Sequence, residues 1–78
     1  MTSSDQRHYI EPLTSVQRDR LEGIAASATL RARQRARLLL LLDAGTSVTE
    51  TAAQVGLSPS GVRYWIKRYR AVGMGIFD

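Results

Sequence analysis

The chain has no cysteine, one histidine and two prolines, and its longest apolar run is the five leucines Leu38 to Leu42. Each scarcity excludes a class of function. Without cysteine there is no disulfide, no thiolate zinc site and no thiol nucleophile, and the composition fits a reducing compartment. His8 has no second imidazole to share a metal with, so neither metal nor cofactor is expected. Five leucines fall far short of the ~20 apolar residues that cross a bilayer. The start, Met-Thr-Ser-Ser-Asp, has no apolar run, so no signal peptide is expected. A cytoplasmic protein without membrane contact is the expectation. The seven acidic residues do not pair as catalytic carboxylates; Asp19 and Glu22 read as solvated helix surface. No base stands near Ser58 or Ser60, which argues against a nucleophile. The chain is not expected to be an enzyme.

What is present is basic charge in one place. The net charge is +4 over 78 residues, and residues 31–70 carry eight basic side chains against Asp43 and Glu50. Residues 1–30 hold three basic groups against four acidic ones. A basic central and C-terminal block is the electrostatic footprint of a polyanion binder. Seventy-eight residues form one small domain, whose marginal core calls for well-packed helices or a partner.

Residues 1–12 are polar and without period, and read as an N-terminal arm; the domain runs over 13–78. Thr14 and Gln17 have the spacing of a capping box, and Leu21, Ile24, Ala25 and Ala28 recur at helical spacing, giving a first helix over 15–27. A second helix starts near Thr29 or Leu30 and stops at Gly45. Its apolar residues lie on two sides, Ala32, Ala36, Leu39 and Leu40 on one and Leu30, Leu38 and Leu41 on another. Such a helix sits between neighbours; the alternative is that its second side forms a homodimer contact. Ser47 and Glu50 make a second capping box, opening a helix over 48–55. After Gly56, Ser58 caps a fourth helix with Pro59 at its first position, running to about Val72 with Gly73 as its stop.

The last two helices, separated by three residues, have the spacing of a helix-turn-helix, in which the second helix enters a DNA major groove. Ala52 is small where the helices touch, Gly56 supplies a positive φ, and Val55, Leu57, Val62 and Trp65 complete an apolar cluster. Trp65 is expected to anchor the core there. Thr51 stands where a larger aliphatic residue is usual, which is expected to loosen the packing. Ser58, Ser60, Gly61, Arg63, Tyr64, Lys67 and Arg68 make up the candidate DNA-binding face. Arg63 has the fork that pairs with guanine O6 and N7, and Tyr64 suits a thymine methyl or a phosphate. Gly61 would let the helix approach closely, and Lys67, Arg68 and Arg70 lie further back, nearer phosphates. Of the series Arg31, Arg33, Arg35 and Arg37, the first and third point one way and the others nearly opposite. At most one pair faces DNA, leaving the other solvated or paired with Glu22 or Glu50. A further reading sends Arg7 of the arm into a minor groove.

The stretch RARLLLLLDAG followed by SVTETAAQVGLSPSGVRYWIKRY resembles the N-terminal domain of bacterial insertion-sequence transposases of the mariner-like superfamily. The lead-in LTSVQRDRLEGIAASATLRARQRAR is similar to that family too. The resemblance implies an all-α, four-helix, homeodomain-like fold with a C-terminal helix-turn-helix. It also implies recognition of an element's terminal inverted repeats through residues 59–70. In that family a linker would begin about residues 75–78 and a catalytic domain would follow, so no transposition chemistry is expected here. Sequence-specific double-stranded DNA binding is the expected function, either as a transposase recognition domain or as a small stand-alone regulator working at the nucleoid. The competing class is a protein-interaction module built on the leucine-rich second helix and the C-terminal helix.

Overall fold

Ser15–Ser27 (α1), Leu30–Asp43 (α2), Val48–Val55 (α3) and Pro59–Val72 (α4) are α-helices, and a 3-10 helix, Gly73–Phe77, closes the chain. They come from a computed structural model that describes residues 9–27 and 29–77, with Ser27 described by its backbone alone. The readings made for Arg7, His8 and Ala28 lie outside the described residues. Among those described there is no strand, so the all-α, four-helix expectation holds.

The helix ends are set by local chemistry. The Thr14 N–H donates to Gln17 Oε1 (2.9 Å) and the Gln17 N–H donates to Thr14 Oγ1 (3.1 Å), both halves of the capping box. Thr29 Oγ1 accepts from the Ala32 N–H at the start of α2. At its end Gly45 takes φ 93°, the Gly45 N–H donates to the Leu42 carbonyl, and the Thr46 N–H donates to that of Leu41. This pair of bonds is a Schellman motif, which satisfies carbonyls the helix would otherwise leave open. Asp43 then clasps the two ends of the α1–α2 pair together. Its Oδ1 accepts from the Leu13 N–H (2.9 Å) and its Oδ2 from an Arg18 guanidinium N–H (3.2 Å).

Helix α2 is central. Ala36, Leu38, Leu39 and Leu42 are all buried, so both of its apolar sides are used inside one chain. Leu38 and the half-buried Leu41 are therefore packed within the domain rather than presented to a second copy. Leu30 departs from the expected pattern: it is 74% exposed, because it sits at the first position of the helix with no neighbour above it. The core also reaches further at both ends than periodicity suggested. Ile10 is buried and Tyr9 packs against the core, and so do Ile76, Met74 and Phe77 of the closing turn.

Helix α3 buries Val48, Thr51, Ala52 and Val55, one face at i, i+3, i+4 and i+7. Thr51 is fully buried, and its Oγ1 has no hydrogen-bond partner. A helical threonine can satisfy its hydroxyl on the carbonyl four residues back. Here the Ser47 carbonyl accepts the Thr51 backbone N–H. Leaving a buried hydroxyl unpaired costs about 1–3 kcal/mol. Thr51→Val keeps the shape and removes the orphan. It should raise stability by about 1 kcal/mol and the melting temperature by roughly 4–8 °C. A melt at or below the parent's would mean that the hydroxyl is satisfied in solution.

Helix α4 seats Val62 and Ile66 in the core. Trp65 does not anchor it as expected. It is only half-buried, with the Arg35 guanidinium lying over its ring 4.3 Å from the centroid and Tyr64 meeting it edge-on at 5.1 Å. The indole packs against the edge of the core and is covered by Arg35 of α2, rather than filling the centre beside Val62. Tyr69 is half-buried beside it, and burial, aided by the negative charge of Asp43, pushes its phenol above the usual range. It acts as a neutral packing group.

Candidate nucleic-acid interface

The junction of α3 and α4 is built by residues whose chemistry leaves little choice. Gly56 ends α3 in the left-handed region (φ 78°, ψ 32°), where a side chain would be strained. Its N–H and that of Leu57 both donate to the Ala52 carbonyl. Ser47 Oγ accepts from the Glu50 N–H (3.1 Å), the serine half of the expected capping box. Ser58 Oγ accepts from the Gly61 N–H (3.1 Å), and Pro59 follows at the start of α4. The Gln34 side-chain amide, on α2, donates to the Val55 carbonyl (2.9 Å) and ties the end of α3 to the body of the domain. The result is an eight-residue helix, a three-residue turn and a 14-residue helix standing on a shared core of Ala52, Val55, Val62 and Ile66.

Counting about 100° per residue, Ser60, Tyr64 and Lys67 fall together on the side of α4 opposite Val62. All three are exposed, Tyr64 by 55%. Arg63 and Arg70 lie on one flank of that face, and Arg68 on the other. None of the four basic residues of α4 has an ion-pair partner among the described residues, where Arg18–Asp43 is the one ion pair. Arg63, Lys67 and Arg70 line a shallow slot with Ile66 on its floor and Tyr9 on its far wall. Cations held over an apolar floor and free of carboxylates are suited to phosphate oxygens and to the acceptor edge of a guanine.

Two of the seven expected residues are placed differently from the rest. Ser58 is exposed, but its hydroxyl oxygen is already accepting the cap bond. Gly61 is half-buried, and a Cβ built there would point at the turn, 3.5 Å from Ser58 Oγ and 3.6 Å from Leu57. Those are ordinary contacts. Gly61→Ala should therefore stabilise α4 by about 0.5–1 kcal/mol through helix propensity. Duplex affinity should stay within about twofold, and a loss beyond tenfold would place Gly61 against the DNA.

Sequence reasoning leaves Tyr9 and Ile10 either unstructured or packed on the first helix. It misses that Tyr9 stands beside the α4 cations, the bond made by Gln34 and the role of Arg35. Tyr9 and Ile10 are an apolar pair in a polar stretch, which was the available signal. Nothing in the local pattern marks Gln34. Arg35, one of the arginines expected to face DNA, be solvated or pair with an acid such as Glu22 or Glu50, instead stacks on Trp65. Among the described residues no cluster of histidine, cysteine or carboxylate could hold a metal, and no helix is long and apolar enough to cross a membrane. A family model described as a helix-turn-helix domain matches residues 34–74, from the middle of α2 through all of α3 and α4. No curated protein and no solved structure matches the chain.

Proposed function

This chain belongs to the helix-turn-helix domain family, and from that premise we propose that it is a sequence-specific reader of double-stranded DNA, with α4 lying in the major groove. The observation that carries this reading is the free polar face of α4. Ser60, Arg63, Tyr64 and Lys67 are exposed, unpaired by acids, and held by a turn whose every backbone oddity is supported. The N-terminal half of α4 is the end that enters a groove, so Arg63 and Tyr64 address base edges. Lys67, Arg68 and Arg70 address phosphates. The resemblance to insertion-sequence transposases favours an element's terminal repeats as the target and a bacterial nucleoid as the setting.

A titration of a random duplex over a range of salt tests the electrostatic part. If about half of the eight basic residues in 31–70 meet phosphates, the log–log slope should be near −3.6, at roughly 0.9 per phosphate. An affinity independent of salt would argue for an acidic or apolar protein partner, and against this reading.

A further inference from the structure

The arginines of α2 are split by the fold in a way that leaves three of them together. Arg35 is engaged on Trp65 and so faces α4. Arg33 and Arg37 are each two residues from it, which sets them roughly 160° around the helix, on the side turned away from α4. With Arg31 they line a groove of about 410 Å³ bounded by Ala25 of α1 and Val55 of α3. Among the described residues no carboxylate lines that groove, and none of the three guanidinium groups is ion-paired. Its wall is fixed, because Gln34, which also lines it, is bonded to the Val55 carbonyl.

Arg33 and Arg37, four residues apart, repel one another mildly on a solvated surface, and an anion seated between them would relieve that repulsion. We propose that this groove is a second polyphosphate site, which takes the sugar–phosphate backbone of a DNA segment other than the one read by α4. Arg33 and Arg37 are one turn apart, about 6 Å along the helix axis. That is close to two steps, about 6.8 Å, along a strand that carries one charge per roughly 3.4 Å of duplex axis. Arginine's planar fork binds a phosphate through two parallel hydrogen bonds, which lysine cannot do. Because α4 presents its polar face away from the core, and Arg33 and Arg37 point away from α4 while Arg31 borders the same groove at the start of α2, one domain can hold two duplexes. The site does not depend on α4 being a base reader.

The test is a capture experiment with the whole chain. A bead-bound duplex is saturated with protein, and retention of a second, fluorescent duplex is measured. Sedimentation run alongside should find a monomer; a dimer with two α4 faces would capture through them, and the glutamine variant would then capture normally. The parent chain should retain the second duplex. The Arg31→Gln/Arg33→Gln/Arg37→Gln variant should bind the first duplex within about threefold of the parent and lose at least nine-tenths of the capture. Should that variant melt early, Arg33→Lys/Arg37→Lys keeps the charge and should lose part of the capture. In a separate arm, Arg63→Gln/Lys67→Gln/Arg68→Gln removes the α4 face. Residual duplex binding should then show a salt slope near −2.7, at roughly 0.9 for each of three phosphates. The groove proposal is overturned if the parent captures nothing or if the glutamine variant captures normally. It is overturned too if only polyglutamate, and no duplex, binds the α4-neutralised chain, which would assign the groove to an acidic protein. Failure of α4 alone would leave this residual binding intact, so the two failures can be told apart.

Discussion

A Leu39→Ala domain should melt roughly 12–24 °C below the parent. Leu39 is fully buried on the helix that α1 and α3 both pack against. Truncating a buried leucine costs about 2–5 kcal/mol through lost transfer energy and the cavity left behind, and we take about 3. In a domain of this length each kcal/mol moves the midpoint by about 4–8 °C. Total stability at this size is only about 4–12 kcal/mol, at 0.05–0.15 per residue, so the loss is a large fraction of it. Leu30→Ala, on the same helix, is the internal control. Its side chain is mostly exposed, and the substitution should stay within about 0.5 kcal/mol. Thermal melts followed by far-ultraviolet circular dichroism compare the two. Equal small shifts would show that α2 is not the centre of the fold.

Binding gives the second large effect. Arg63→Ala should weaken a selected duplex by about 1–3 kcal/mol, roughly 5- to 150-fold, and affect random duplex much less. Lys67→Ala, one turn further along α4, should weaken both duplexes alike and reduce the salt slope by about one. Both side chains are exposed and outside the core, so neither change should move the melt. Fluorescence anisotropy on the two duplexes at two salt concentrations separates these behaviours. Equal losses on both duplexes for both variants would mean that α4 grips the backbone without reading it.

The elements of this fold were legible because their ends are written locally. Thr14 with Gln17, Ser47 with Glu50, Ser58 with Pro59, and Gly45, Gly56 and Gly73 each act within a few residues, and each stands where its spacing placed it. The face of α4 was legible for the same reason, since Val62 and Ile66 fix which side is inward. Contacts that cross between elements were not. The clasp of Asp43 on Leu13 and Arg18 spans 25 to 30 residues, and Gln34 reaches Val55 across 21. Trp65 shows the limit most clearly. Helical period places it on the apolar side of α4, but only the position of α2 decides that its ring is covered by Arg35 rather than by leucine. Thr51 is the reverse case. Its departure from the usual aliphatic was visible, whereas its unsatisfied hydroxyl depends on what surrounds it.

Whether α4 reads bases in the major groove can be measured one atom at a time. A site selected from random duplexes would be remade with each guanine replaced in turn, once by 7-deazaguanine and once by inosine. The first loses the N7 acceptor of the major groove, and the second loses the N2 donor of the minor groove. The parent chain should lose at least tenfold in affinity at one 7-deazaguanine position and nothing with inosine there. Arg63→Ala should be indifferent to that same replacement. Sensitivity to inosine alone, or an undiminished 7-deazaguanine effect in Arg63→Ala, would contradict the account.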